Sequence, residues 1–177
     1  MSLFSGLFLA ASAAVAALQA ALDSRADWTM TRRLDGSDRV LVSSGTVACT
    51  AGLGIVWETT APFAASVAMT TNSMAFVDEE GRREKSLDEL PHYAEIRAAT
   101  DAFVAGQTNA FDGVFDIRET TCADGGWRLT LVPTVAAMRR LVTEVELSGA
   151  ALPTNAVLRA PGSVSIIRFR SRNAGGR

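Results

Sequence analysis

The sequence predicts an α+β fold in which a strongly curved antiparallel sheet bends around a helix. About nine or ten short segments alternate apolar and polar residues, which is typical of strands that bury one face. Glycine, proline and charged residues separate these segments at short intervals, so neighbouring strands are expected to pair with each other. One longer segment, residues 86–107, breaks this rhythm and spaces its apolar residues as a helix does.

Length and composition indicate one domain with a sizeable core. The chain has 177 residues, of which 48% are hydrophobic and 20% are charged, and a domain commonly has about 150 residues. The formal net charge is −2, and the 17 basic and 19 acidic residues are interspersed. Because nucleic-acid binding needs a basic surface that displaces counterions from the phosphates, no nucleic acid is expected as a partner.

An uncharged segment opens the chain, and Asp23 is the first residue with a charged side chain. Residues 3–9 are mostly bulky and apolar, and residues 10–21 are rich in alanine. This order is typical of a secretory signal, so we expect residues 1–20 to be a signal peptide, although a basic n-region is missing. An uncleaved membrane anchor is the alternative, since about 20 apolar residues can span a bilayer.

Five strands are predicted in the first half of the chain, and a charged loop is predicted after them at residues 78–85. The strands cover residues 28–34, 40–49, 55–60, 65–71 and 74–78. Side chains two residues apart share a face, so each strand offers one apolar surface.

The helical segment follows that loop. Ser86 is a suitable helix start, with acidic residues close behind it near the positive end of the helix dipole. From Tyr93 to Ala105 the apolar residues recur at helical spacing, and Gly106 is a suitable end. We therefore predict a helix from about Tyr93 to Ala105.

Strands are predicted again in the second half, with a short turn or helix after Pro133. They cover residues 111–119, 127–132, 141–147, 157–160 and 164–170. We expect residues 21–170 to form the folded domain and residues 171–177 to be a flexible tail.

Several of these segments resemble the LolA family of periplasmic lipoprotein carriers. In the first half the matching residues are Ser43, Gly45, Val47, Gly52, Leu53, Trp57 and Pro62. In the second half, Gly113 to Phe115, Gly126 to Pro133 and Pro161 to Phe169 are similar to family segments in the family's order. The resemblance covers about residues 18–169.

The resemblance implies an unclosed half-barrel covered by helices, with the helix at Tyr93 to Ala105 as part of a lid. It also implies a periplasmic carrier that binds the acyl chains of lipoproteins in an apolar cavity and shuttles them towards the outer membrane. Its partners would be a donor transporter in the inner membrane and an acceptor in the outer membrane, and no cofactor is implied. Ala51 and Gly52 stand where the familiar carriers have Arg-Pro, which favours a related envelope lipid as a second possible cargo.

A carrier of this kind needs large apolar side chains around its ligand. Each exposed acyl methylene costs about 0.8 kcal/mol in water, and thioethers adapt well to irregular ligands. The same side chains could instead fill a core, and the alternation of a strand does not say which of its faces is concave. The candidate lining residues are Trp28, Met30, Trp57, Val67, Met69, Met74, Phe76, Phe103 and Phe115.

No motif in the sequence favours catalysis, so an enzyme is not expected. His92 is the single histidine, and with two distant cysteines it cannot form a metal cluster. No G-x-S-x-G nucleophile motif occurs in the sequence. The alternatives to a carrier are a non-catalytic adaptor or structural module of an envelope complex and, as the weakest of the three, a hydrolase.

The two cysteines, Cys49 and Cys122, leave two alternatives open. An even number of cysteines in an oxidising compartment favours a disulfide. Two separate thiols are the other interpretation.

The first prediction concerns export. If residues 1–20 are a signal peptide, a bacterial host should export a soluble product whose N-terminus lies between residues 14 and 21. The intact mass of the exported protein gives this position. A membrane-bound product that keeps Met1 would instead identify the segment as an anchor.

Overall fold

The computed structural model describes residues 25–50, 54–70, 73–86, 113, 115–122 and 124–172, and every structural statement below concerns these residues. They form eleven strands and one short helix. The strands are β1 (Arg25–Leu34), β2 (Val40–Thr50), β3 (Gly54–Ala61), β4 (Ala65–Met69), β5 (Ser73–Asp78), β6 (Gly81–Ser86), β7 (Phe115–Thr121), β8 (Trp127–Pro133), β9 (Glu144–Gly149), β10 (Pro153–Ala160) and β11 (Ser163–Ser171). The helix is α1 (Ala136–Arg139).

All eleven strands belong to one antiparallel sheet. Their order is β6-β5-β4-β3-β2-β1-β11-β10-β9-β8-β7, so strands β1 to β6 form one run of neighbours and β7 to β11 form the other. The first and last strands, β1 and β11, join the two runs in the middle of the sheet. The edge strands β6 and β7 do not pair with each other, so the antiparallel sheet is unclosed, as the resemblance implies.

The turns between neighbouring strands follow from local sequence. Between β10 and β11, only Pro161 and Gly162 lie between the paired residues Ala160 and Ser163. Proline sets the φ angle that the first central position of a tight turn requires. Gly162 has φ of +78°, which residues with a Cβ rarely adopt.

Two expectations from the sequence need correction. The predicted cover of helices is not confirmed, because α1, with four residues, is the only helix in the described ranges. The predicted loop at residues 78–85 is largely a strand, since β6 pairs with β5 along its whole length. Every residue of β6 is exposed, so the strand shows none of the apolar alternation that identifies a half-buried strand.

Two further predictions concern residues outside the described ranges. The helix at Tyr93 to Ala105 and the signal peptide at residues 1–20 lie outside them. At the other end, β11 continues through Ser171, and the backbone N–H of Arg172 donates to the carbonyl of Arg25.

The core lies against one side of the sheet, in two clusters. The central cluster joins Trp28, Ala156 and Ile167 on β1, β10 and β11. The second cluster consists of inward residues of β8, from Trp127 to Leu131. Both buried indoles satisfy their N–H groups, since Trp28 donates to the carbonyl of Thr46 at 3.1 Å and Trp127 to that of Ala150 at 2.7 Å. Burial of these rings therefore leaves no indole donor without a partner.

Gly45 marks a close approach of two strands. The pairing of β2 with β3 shifts by one residue between Ser44 and Gly45. A Cβ atom on Gly45 would lie 1.8 Å from the carbonyl oxygen of Glu58. Only glycine fits there without movement of the backbone.

The substitution Gly45→Ala should therefore lower the free energy of unfolding by about 2–4 kcal/mol, because β2 and β3 must separate. Chemical denaturation of the two proteins measures the difference. Ser44→Ala, one residue away on the same strand, is the matched control and should change stability by less than about 0.5 kcal/mol. Equal stability of Gly45→Ala and the unsubstituted protein would contradict the close approach.

The cysteines lie far apart in the strand order. Cys122 follows β7, whereas Cys49 lies on β2, six strand-to-strand steps away. A disulfide needs Cα atoms within about 7 Å of each other. The pairing of Cys49 with Cys122 stays a prediction, with two separate thiols as its alternative. Peptide mapping of exported protein under non-reducing conditions distinguishes them, since only a disulfide gives a linked peptide pair.

Candidate functional site

The strand register places large apolar residues of ten of the eleven strands, all except β6, on a common face. In an antiparallel pair, residues directly opposite each other point to the same side of the sheet. Trp28 lies opposite Gly45 of β2 and Phe169 of β11. We call the side that carries Trp28 the inner face and the other side the outer face.

The inner face carries large apolar residues on every strand from β5 to β7 in the order of the sheet. From β5 to β1 these residues are Met74, Phe76, Val67, Ile55, Trp57, Val47, Leu41, Leu34, Met30 and Trp28. From β11 to β7 they are Ile167, Phe169, Ala156, Leu158, Val145, Leu147, Trp127, Leu129, Leu131, Phe115 and Ile117.

The structure brings most of the predicted lining residues together on this face. They are Trp28, Met30, Trp57, Val67, Met74, Phe76 and Phe115. Met69 pairs with Ile55 and so occupies a position on the same face, but its side chain is not described. Phe103 lies outside the described residues. Whether these residues bind a lipid stays a prediction.

Sequence reasoning missed the contribution of the second half of the chain. Ile167, Ala156 and Leu129 are among the most buried residues on the inner face, yet only Phe115 came from that half. The signal was present in the alternation of β8, where every second residue is apolar. The sequence of one strand does not show which of its faces lies on the same side of the sheet as Trp28.

Three aromatic rings meet near the middle of the inner face. The ring centroids of Trp28 and Trp57 are 4.9 Å apart at an interplanar angle of 30°. Phe169 meets Trp57 edge to face at 6.1 Å. Because β1 and β3 flank β2 and are about 10 Å apart, the two indoles lean towards each other across β2, where Gly45 has no side chain.

Accessibility varies along the inner face. Trp28 is only 3% exposed and Trp127 only 4%. By contrast Trp57, Val67 and Phe76 on β3 to β5 are half-buried. The inner face therefore combines buried rings on β1 and β8 with partly accessible apolar side chains, and those of β3, β4 and β5 lie next to one another.

The outer face is largely polar and carries ion pairs. Arg172 contacts Asp27 at 2.6 Å, and Arg159 contacts Glu144 at 3.0 Å. The hydrogen bond and the negative charge of Asp27 raise the pKa of Arg172 above its usual value. A shallow cavity of about 270 Å³ near Arg172 is lined mainly by outer-face residues of β2 and β3. The two faces thus differ in chemistry, and the apolar one is the candidate binding surface.

Two further observations concern the described part of the chain only. It holds no group of three or more histidine, cysteine, aspartate or glutamate side chains placed to bind a metal ion. None of its helical segments has the length and hydropathy to cross a bilayer.

Solved structures resemble this chain at low sequence identity. A LolA superfamily protein from Nitrosomonas europaea is 12% identical, with a TM-score of 0.49 over 93% of this chain and 90% of its own. A DUF1329 family protein from Desulfovibrio piger is also 12% identical, with a TM-score of 0.48 over 94% of this chain and 92% of its own. A chain of the MucA/MucB complex of Pseudomonas aeruginosa is 15% identical, with a TM-score of 0.43 over 94% and 59%.

No curated protein sequence matches the chain. A family model, described as outer membrane lipoprotein carrier protein LolA-like, matches residues 41–163. This match runs from the second residue of β2 to the first residue of β11 and so includes both halves of the sheet. The chain therefore belongs to the outer membrane lipoprotein carrier protein LolA-like family.

Proposed function

We propose that this protein is a periplasmic carrier that binds the acyl chains of a lipoprotein or a related envelope lipid on the inner face of its sheet. Membership of a LolA-like family supports a role with lipids or lipoproteins in the cell envelope. The observation that carries the proposal is the continuous apolar face defined by the strand register, part of which is accessible to a ligand.

The energetics of acyl transfer fit such a face. A single long acyl chain in water needs apolar cover worth roughly 10 kcal/mol, at about 0.8 kcal/mol per methylene. Trp57, Val67 and Phe76 lie side by side on β3, β4 and β5, because Val67 is paired with both of the others. Met30 and Met74 add flexible thioethers that adapt to an irregular ligand.

The proposal also defines the partners. An acyl chain gains little by leaving a bilayer for an apolar protein surface, so loading needs an energised donor. We propose an inner-membrane transporter as this donor and an outer-membrane acceptor as the destination. We propose a binding role rather than a catalytic one, with no cofactor.

Mass spectrometry of an organic extract tests the function directly. Protein purified from the periplasm without detergent should yield an acyl lipid or lipoprotein in near-stoichiometric amount. An adaptor or structural module would yield none. Turnover of an ester or glycoside substrate would favour a hydrolase instead.

A pair of neighbouring substitutions on β5 tests the binding face. Phe76 lies on the inner face opposite Arg83, and Val77 lies on the outer face opposite Arg82. Each position therefore places a new aspartate opposite an arginine. Phe76→Asp should weaken binding of a fluorescent fatty-acyl probe at least about tenfold, because it puts a charge where the apolar chain lies. Val77→Asp should leave the affinity unchanged.

Thermal unfolding of both variants provides the control for folding. Phe76 is half-buried beside an edge strand, so we expect the Phe76→Asp protein to remain folded. Equal losses of affinity in the two variants, or unchanged affinity in both, would contradict the assignment of the inner face as the binding surface.

A further inference from the structure

A polar group interrupts the inner face at one end of β1. Arg32 lies two residues beyond Met30 on the same face, opposite Leu41 of β2 and Ser165 of β11. Its Nη2 donates a hydrogen bond to the Oγ atom of Ser163 at 3.1 Å. A cation and a serine hydroxyl group thus meet near one end of the apolar surface.

The charge of Arg32 has only a neutral partner among the described residues. Ser163 is 4% exposed and is the buried polar residue of the described chain, and Arg32 provides its side-chain hydrogen bond. Arg83, also on the inner face, is instead neutralised by Asp78 and Glu80. Because Arg32, unlike Arg83, is not paired with a carboxylate of the described residues, it is available to bind an anionic group of a ligand.

We propose that Arg32, positioned by the buried hydroxyl of Ser163 and lying opposite the hydroxyl of Ser165, binds the phosphate of an anionic glycerolipid whose acyl chains lie on the inner face. This inference rests on the proposed function and names the class of lipid. A guanidinium group offers several donors in a planar fork that matches phosphate oxygens. The hydroxyl of Ser165, which lies opposite Arg32 on the same face, offers a further donor.

The position of Arg32 orients such a lipid. Trp28 lies four residues from Arg32 on the same face, about 13 Å along the strand. A headgroup at Arg32 would therefore let the acyl chains run over Met30 towards the Trp28–Trp57 pair. Beside Arg32, the inner-face residues Leu34 and Leu41 are 38% and 51% exposed, so apolar surface for the glycerol end of a lipid is accessible there.

An apolar face alone would bind lipids with equal acyl chains equally well, which makes the proposal testable. Displacement of a fluorescent fatty-acyl probe is measured with dioctanoyl phosphatidic acid and with dioctanoylglycerol, which differ only in the phosphate. The phosphatidic acid should bind about tenfold more tightly or better, as expected for a charge-assisted hydrogen bond. Arg32→Gln should remove this preference and leave the affinity for dioctanoylglycerol unchanged.

Arg33→Gln is the matched control. Arg33 is the next residue on β1, carries the same charge and lies on the outer face opposite Val40 and Val164. Its substitution changes net charge equally and should preserve the preference. Arg32→Lys keeps the charge but loses the fork, so it should retain only part of the preference. Thermal unfolding shows that each variant is folded. The ratio of the unsubstituted protein's affinities for phosphatidic acid and for dioctanoylglycerol also tests the proposal without any variant.

The outcomes separate this inference from the proposed function. Binding of both lipids with equal affinity, or an equal effect of Arg33→Gln, would overturn the phosphate site and leave the carrier function standing. Binding of neither lipid would overturn the carrier function and the site with it. Titration calorimetry with inorganic phosphate distinguishes the source of the anion, since phosphate alone binding as tightly as phosphatidic acid would overturn a lipid headgroup site.

Discussion

The register of β1 against its two neighbours is the constraint on which the rest of the structure depends. β1 pairs with β2 on one side and with β11 on the other, and so joins the first and second halves of the chain. Because side chains alternate between faces, a slip of one residue in either pairing would move half of the apolar residues to the outer face. The correct register places Trp28, Ile167 and Ala156 in one cluster and makes the apolar inner face continuous across the ten strands from β5 to β7.

The contact between Trp28 and Trp57 shows how a single glycine supports this arrangement. The irregular pairing at Gly45 brings the backbone of β2 close to that of β3. Gly45 lies directly opposite Trp28, and the two indoles, on strands that are not neighbours, approach to 4.9 Å across β2. The hydrogen bond from Trp28 to the carbonyl of Thr46 holds one of these rings in place. The close approach of β2 to β3 and the contact between the two indoles therefore occur at the same place in the sheet.

The division between an apolar inner face and a charged outer face gives the proposed carrier both affinity and selectivity. Apolar burial is non-directional, so an extended apolar surface supplies affinity for acyl chains without distinguishing their headgroups. Directional polar groups at the margin of such a surface supply discrimination. Arg32 and Ser163 occupy this marginal position at one end of β1. Ion pairs such as Arg159–Glu144 lie on the outer face, and the charge of Arg83 on the inner face is balanced by Asp78 and Glu80.

Local sequence was sufficient for most of the strands and for the choice of large apolar side chains. The alternation around Trp28, Trp57 and Phe115 identified strands and candidate residues, since this pattern depends only on the twofold repeat of a strand. It could not find β6, because a strand exposed on both faces has no such repeat. It also could not assign a face to any strand or add Ile167 and Leu129 to the site. Those assignments depend on which residues lie opposite each other in strands distant in sequence, and only the tertiary pairing of β1 with β2 and β11 decides them.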